Sequence, residues 1–217
     1  MPSPDQPALE TAFINIPYAP AYEDRLVATI ASLALYGLVP TAAVAAGNEP
    51  NRLDRIINAL ADSVLSVHDL TWMAVDATEP ATPRFNMPFE LGIAVAFSRV
   101  SGNHYVVMDT IPYRLDKALS DLRGVDPEVF DGTPEGVFRA ISNVLYREEF
   151  QPSIENFNQL FQELRMRDVI LKNQHGFGSL FAARPFNDLR LLAAEIANQL
   201  RQPSETLVIQ TDTNQDS

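Results

Sequence analysis

Glu90 is the residue of this chain whose type and surroundings are best suited to chemistry. It is the only carboxylate between Phe85 and Val100, and its neighbours Phe89 and Leu91 are apolar. A carboxyl group in such surroundings loses hydration, which favours its neutral form and raises its pKa. We therefore predict that Glu90 is at least partly buried and that it acts as a catalytic group. The alternative is an acidic residue in the first turn of a helix, where the helix dipole favours it.

Asp69 is a second candidate catalytic carboxylate, because it follows the predicted third strand at residues 64–68. The predicted helix that carries Glu90 comes after the same strand, so both groups are expected at one strand-end cleft. Two carboxylates in one cleft can divide the work, one staying ionised while the pKa of the other is raised. The alternative is that Asp69 only turns the loop. His68 is expected to face the other side of the strand and to pack in the core.

The end of the predicted first strand offers further groups for ligand binding. The segment FINIPY spans residues 13–18, and we take Phe13, Asn15 and Tyr18 from it as candidate substrate contacts. Asn15 and Tyr18 suit a sugar or a base, and the alternative is that they are turn residues.

Basic and small residues flank the candidate carboxylates. Arg52, Arg55 and Arg84 are the basic residues best placed to meet a phosphate, although all three also suit a solvated surface. Asn86 is predicted to cap the helix that follows it. Gly92 costs about 1 kcal/mol in a helix interior relative to Ala, which predicts that a ligand or a strand approaches closely there.

The composition and motifs exclude several kinds of site. The chain has no cysteine, so disulfides, thiolate catalysis and Cys-ligated metal centres are excluded. His68, His104 and His175 are scattered along the sequence, and we predict no metal site. The motifs G-x-x-x-x-G-K-[ST] and G-x-G-x-x-G are absent, so phosphate binding by those loops is not predicted.

Charge and hydropathy limit the partners and the location. A formal net charge of −12 repels nucleic acid and anionic membranes, and we expect neither as a partner. No apolar run reaches the roughly 18 residues of a transmembrane helix. The N-terminal residues lack the basic and then apolar layout of a secretory signal. We therefore expect a cytoplasmic protein.

Alternating strands and helices are predicted to position these residues. The predicted strands lie near 11–16, 38–44, 64–68, 104–109 and 128–130, and the predicted helices lie at 21–36, 51–61, 87–99, 115–122 and 133–146. Such alternation predicts parallel strands with right-handed crossovers, hence a doubly wound α/β sheet with helices on both faces. Ligands bind such sheets at the carboxyl ends of the strands. Pro40 favours an edge position for the second strand.

The pattern beyond residue 151 is helical only. An apolar stripe is formed by Phe157, Leu160, Phe161 and Leu164, and a second amphipathic helix is predicted at 187–200. We predict a helical hairpin over 151–202 that packs on the core or on a second copy of the chain. The α/β domain is assigned to 11–147, with a flexible N-terminus at 1–10 and a polar, disordered tail at 203–217.

Four segments of the chain resemble a bacterial family that is similar to TIR-like and nucleoside 2-deoxyribosyltransferase-like domains. They are FINIPY at 13–18, RLDRI at 52–56, HDL at 68–70 and RFNMPFELG at 84–92. The resemblance covers about residues 10–147 and implies a flavodoxin-like five-stranded sheet of order 2-1-3-4-5. It also implies that Glu90 corresponds to the glutamate that these enzymes use at an N-glycosidic bond, since FELG matches the motif that carries the nucleophilic glutamate of the deoxyribosyltransferases.

The chain departs from both enzyme classes. The deoxyribosyltransferases have an aspartate six residues before their glutamate, where this chain has Arg84. An arginine suits a phosphorylated ligand such as NAD or another nucleotide. The spacing of tryptophan and glutamate in TIR domains is also absent, because Trp72 is far from Glu90 in sequence.

The resemblance implies a nucleotide N-glycosidase, most closely an NAD hydrolase, with a role in bacterial defence or signalling. Glu90 would be the catalytic carboxylate, Asp69 and Asn86 would orient the ribose, and Arg84 would lie near phosphate. NAD or a related nucleotide enters as substrate or ligand, and no cofactor is expected. The alternatives are a nucleotide-sensing module that signals through its helical C-terminus and a nucleoside deoxyribosyltransferase. Self-association is expected, and residues 151–202 are the candidate contact for a partner protein.

Overall fold

Five parallel strands form the centre of the structure. The computed structural model describes residues 10–45, 50–73, 85–148, 150–174 and 176–201. The strands are β1 (Thr11–Asn15), β2 (Val39–Thr41), β3 (Leu65–Asp69), β4 (His104–Asp109) and β5 (Glu128–Val129). They form one sheet in the order β2-β1-β3-β4-β5, and every neighbouring pair is parallel. The predicted flavodoxin-like α/β fold is therefore confirmed.

Helices connect the strands and then continue beyond them. They are α1 (Glu23–Leu35), α2 (Arg52–Ala61), α3 (Asn86–Ser101), α4 (Arg114–Ala118), α5 (Pro134–Val144), α6 (Ile154–Gln174) and α7 (Ala183–Arg201). Two short 3-10 helices, Pro20–Tyr22 and Ser120–Leu122, precede α1 and follow α4. The single helix predicted at 115–122 is thus divided in two.

Both faces of the sheet are covered, as side-chain alternation along the strands requires. Ile14 and Val106 belong to the large core cluster formed with α1, α5, α6 and α7. Phe13 packs with residues of α2 and α3, and Val107 packs with residues of α3 and α4. Because successive side chains of a strand point to opposite faces, these memberships place α1 on one face and α2 and α3 on the other.

The edge strand β2 is protected against further pairing. Pro40 has no N–H group, and its carbonyl oxygen accepts a hydrogen bond of 3.2 Å from Arg190 of α7. Val39 donates inward to the carbonyl of Glu10 at 2.8 Å. The prediction of an edge position from Pro40 is confirmed, and the observed strand is shorter than the one predicted at 38–44.

The two C-terminal helices belong to the core of the domain. Phe157 and Leu160 of α6 and Phe186 and Leu189 of α7 are fully buried in the same cluster as α1. Helix α7 begins before the predicted residue 187, since Pro185 is tolerated in a first helical turn. The hairpin therefore packs on the core, which is one of the two predicted arrangements. Among the helices in the described ranges, none is both long and apolar enough to cross a membrane.

Candidate functional site

A small cavity opens where β1 and β3 end. Its volume is about 160 Å³, which is below the roughly 300–1,000 Å³ of pockets that enclose drug-sized ligands. The described walls therefore have room for one ring-sized group. The residues that line the cavity come from the end of β1, from the loops after β1 and β3, and from the beginnings of α2 and α3. They are Asn15, Ile16, Pro17, Tyr18, Arg52, Trp72, Asn86, Met87 and Glu90. This is the edge at which doubly wound sheets bind ligands.

Glu90 is the acidic group of this cavity. Its side chain is only 5% exposed, so the prediction of burial is confirmed. Burial raises the pKa of Glu90 from 4.5 to about 7, although the guanidinium of Arg52 acts in the opposite direction. Arg52 Nη2 lies 3.7 Å from Glu90 Oε1. Both protonation states of Glu90 are consequently populated near neutral pH, as acid–base catalysis requires.

Asn15, at the end of β1, ties the cavity wall to the sheet. Its Nδ2 donates to the carbonyl oxygen of Met87 at 3.1 Å and contacts His68 Nδ1 at 2.9 Å. Because the Met87 carbonyl can only accept, the atom of Asn15 that faces it must be the amide nitrogen, and this fixes the orientation of the Asn15 amide. His68 Nδ1 must then be the unprotonated acceptor, and Nε2–H donates to Ser66 Oγ at 2.9 Å. Complete burial lowers the pKa of His68 to about 3, which keeps the ring neutral.

The remaining polar atom of Asn15 is open to a ligand. Asn15 is 2% exposed, and its Oδ1 has no hydrogen-bond partner among the described residues. A buried acceptor without a partner costs about 1–3 kcal/mol. Since Asn15 lines the cavity, a ligand O–H or N–H group that reaches Oδ1 would recover this energy.

Replacing Asn15 by Leu is expected to lower the free energy of unfolding by about 1–3 kcal/mol, because the acceptors on Met87 and His68 both lose their donor. Urea denaturation followed by circular dichroism would measure the loss. Asn143→Leu is the matched control, since it removes only an exposed hydrogen bond to Glu128. Equal stabilities of the two variants would contradict the assigned network.

Aromatic side chains form another part of the wall. The ring of Tyr18 lies 5.4 Å from Arg52 Cζ and stacks on Phe181 at 5.1 Å. Burial raises the pKa of Tyr18 to about 12, so its hydroxyl stays protonated. Trp72 stacks on Tyr22 with an interplanar angle of 6°. An aromatic wall of this kind suits a planar heterocycle.

The structure brings together five of the residues singled out from the sequence. They are Glu90, Asn15, Tyr18, Asn86 and Arg52, which all line the cavity. Arg84, the predicted phosphate contact, lies outside the described residues.

Asp69 is not a second carboxylate of this cavity. It is 1% exposed, and its Oδ1 accepts from the backbone N–H of Thr71 at 2.9 Å and from the Thr71 hydroxyl at 2.6 Å. Its Oδ2 lies 3.4 Å from Arg25 of α1. Burial raises the pKa of Asp69, although the hydrogen bonds from Thr71 and the charge of Arg25 act in the opposite direction. The carboxylate therefore holds the turn after β3, which was the alternative prediction for this residue.

Two further predictions require correction. Phe13 is fully buried against α2 and α3 and is absent from the cavity wall, because its position in β1 directs it into the core. Asn86 is the first residue of α3 and Phe85 occupies the N-cap position, so Asn86 does not cap the helix. The helix starts one residue earlier than predicted, and Asn86 instead borders the cavity.

Gly92 lies on a different surface of α3. A Cβ atom at this position would meet no described atom within 4 Å, so none of the described strands approaches it. It borders an open apolar groove of about 490 Å³ with Phe89, Ile93, Ala96, Phe97 and Val100. This groove does not include Glu90.

Sequence reasoning named Arg52 only as one of three candidate phosphate contacts, and it gave Trp72 no role because Trp72 is far from Glu90 in the chain. A usable signal existed for Trp72, since it comes three residues after the end of β3, at the edge where the ligand is expected.

No protein-family model, no curated protein and no solved structure matches this chain. The chemistry of the cavity and the residues that carry the resemblance are therefore the basis of a functional assignment.

Proposed function

We propose that this protein is a nucleotide N-glycosidase that cleaves a ribosyl C–N bond, with NAD or a related nucleotide as its substrate. One observation carries the proposal: a buried glutamate whose pKa is near 7 lies in a ring-sized cavity at the carboxyl ends of parallel strands. The resemblance of the FELG segment to glycosidic enzymes that use this glutamate supports the same reaction. A role in bacterial defence or signalling, and self-association, belong to the same proposal.

Cleavage of NAD illustrates what the cavity must do. The bond between the ribose anomeric carbon and the nicotinamide nitrogen breaks, and its electron pair leaves with nicotinamide, which becomes neutral. Positive charge develops on the anomeric carbon, and the ionised Glu90 stabilises it. Water then forms the new C–O bond and transfers its proton to Glu90, from which it passes to solvent. The products are nicotinamide, ADP-ribose and one proton, so atoms and charges balance.

The other cavity residues are assigned to binding. Asn15 Oδ1 is an acceptor for a ribose hydroxyl, and the exposed side chain of Asn86 is a second polar contact at the same wall. Tyr18 and Trp72 make part of the wall aromatic, which suits a planar base. The protonated Tyr18 hydroxyl can donate a hydrogen bond to it.

A nucleotide-sensing module is the second candidate function. Tyr18 of the cavity stacks on Phe181, which lies between α6 and α7. Glu23, close to Tyr18 in the chain, also accepts from the backbone N–H of Leu180 at 3.0 Å. A ligand that moves Tyr18 would therefore act directly on the hairpin.

Base release from a panel of substrates tests the enzymatic proposal. The purified full-length protein is incubated at high concentration with NAD, nucleoside monophosphates and deoxynucleosides, and products are followed by chromatography. We expect release from a phosphorylated ribonucleotide and no release with the Glu90→Gln protein. Binding of a nucleotide, seen as a thermal shift without any product, would favour the sensor. Exchange of bases between deoxynucleosides would favour the transferase.

A further inference from the structure

Arg52 occupies a position suited to an anion. It is the first residue of α2, directly after Asn51, whose side chain accepts from the backbone N–H of Leu53 at 2.9 Å. The first turn of a helix carries partial positive charge. Among the described residues that line the cavity, Arg52 is the only basic one, in a chain of formal net charge −12.

The present partners of Arg52 leave much of its binding capacity unused. Arg52 Nη2 lies 3.7 Å from Glu90 Oε1, which is longer than a direct hydrogen bond, and the guanidinium contacts the ring and the hydroxyl of Tyr18. The Arg52 side chain is 47% exposed, whereas that of Glu90 is 5% exposed. A guanidinium has five N–H donors in a planar fork, which matches the oxygens of a phosphate. Arg52 can therefore turn to a stronger anion at the cavity mouth, while Glu90 stays buried.

A second observation points to the sugar part of the same ligand. Asn15 is buried, both of its amide hydrogens are used inside the protein, and its Oδ1 has no partner among the described residues. An acceptor of this kind needs an O–H or N–H group and repels a phosphate. The cavity thus presents an acceptor on its inner wall and a guanidinium at its mouth. A ribose with a phosphate attached provides both complementary groups.

We propose that Arg52 exchanges its contact with Glu90 for the phosphate of a phosphorylated riboside, so that the site selects nucleotides over free nucleosides. The inference rests on the proposed function, because it specifies the substrate class of that cavity. The exchange couples binding to chemistry. Once Arg52 holds the phosphate, the positive charge that develops on the anomeric carbon replaces the guanidinium as the cationic neighbour of Glu90.

Binding of a matched pair of probes tests the inference without turnover. Nicotinamide mononucleotide and nicotinamide riboside differ only in the phosphate, and calorimetry at low salt with the Glu90→Gln protein measures both affinities. We expect the mononucleotide to bind at least about tenfold more tightly, as charge-assisted hydrogen bonds to phosphate require. Adding Arg52→Gln should reduce this ratio to about one. Arg99→Gln, which removes the same charge from the far end of α3, should leave the ratio unchanged.

The exchange itself has a separate signature. Replacing Glu90 by Gln releases Arg52 from the carboxylate. We therefore expect the mononucleotide to bind the Glu90→Gln protein more tightly than the wild type, whose affinity is measured quickly, before any turnover. The affinity for the riboside should change much less. An unchanged phosphate preference in the Arg52→Gln protein, equal affinities for the two probes, or binding of neither would overturn the inference. If the preference is found and no substrate releases its base, only the glycosidase proposal fails, since these measurements record binding alone.

Discussion

The Glu90→Gln protein is expected to release base at least about 10²–10³-fold more slowly than the wild type and yet to be more stable at alkaline pH. The loss of rate follows from the removal of the charge that stabilises the developing cation, for which losses of this size are typical. The gain in stability follows from the cost of ionising a buried carboxyl group. The two effects have opposite signs, so misfolding cannot explain the first.

The pH range of the stability effect follows from the pKa of Glu90. Folding raises this pKa from 4.5 to about 7. Between these values the folded state binds more protons than the unfolded state, so stability falls as the pH rises. The stabilisation that comes from the protonated Glu90 is fully present below about pH 4.5 and is lost above about pH 7. At pH 8 the Glu90→Gln protein should therefore exceed the wild type by about 2–3 kcal/mol, or roughly 5 °C in Tm, and at pH 4.5 the two should agree.

Calorimetric melting across pH 4.5 to 8 would measure this difference. Glu195→Gln is the control, because Glu195 is an exposed residue of α7. The same charge argument predicts that kcat/KM of the wild type rises with pH through about 7, as Glu90 ionises. A Glu90→Gln protein that is less stable than the wild type at pH 8, or one that retains base release, would contradict the assigned role.

A chain that ends after residue 148 is expected not to fold. It would lack α6 and α7, whose large side chains fill the core beside α1. Six of those in this part of the chain have no exposed surface: Phe157, Leu160, Leu164, Leu180, Phe186 and Leu189. Burial of each contributes roughly 1.5–3 kcal/mol, and the six together are comparable to the roughly 5–15 kcal/mol that stabilises a whole domain. We therefore expect the α/β part to depend on the hairpin, although sequence reasoning ended the α/β domain at residue 147.

Circular dichroism and amide proton dispersion of the truncated chain would test this. A chain that ends at Arg201 is the matched control, since it keeps every described helix and the hydrogen bond from Arg201 to the carbonyl of Ala34. We expect the control to melt cooperatively at nearly the wild-type temperature. A cooperative transition in the shorter chain, within a few degrees of the control, would show that the hairpin is an appendage.

The architecture and the central acid could be predicted because their signals are local. The alternation of short apolar runs with amphipathic segments indicates parallel strands and crossover helices, since the two elements have different periods. Glu90 lies alone among apolar neighbours on α3, and the structure buries it as this pattern predicts. Pro40 in the second strand indicated the edge, and the sheet order was an expectation drawn from the FELG-containing segments, which the structure confirms.

Only the tertiary structure decided which groups share the cavity and which satisfy one another elsewhere. Asp69 and Asn15 both end strands at the same edge. Asp69 contacts Arg25 and Thr71 and is held there, whereas Asn15 Oδ1 lies in the cavity wall with no partner among the described residues. Arg52 becomes the partner of Glu90 because α2 and α3 pack side by side. Sequence spacing does not contain these pairings, since each depends on how helices and loops from distant parts of the chain pack over the end of the sheet.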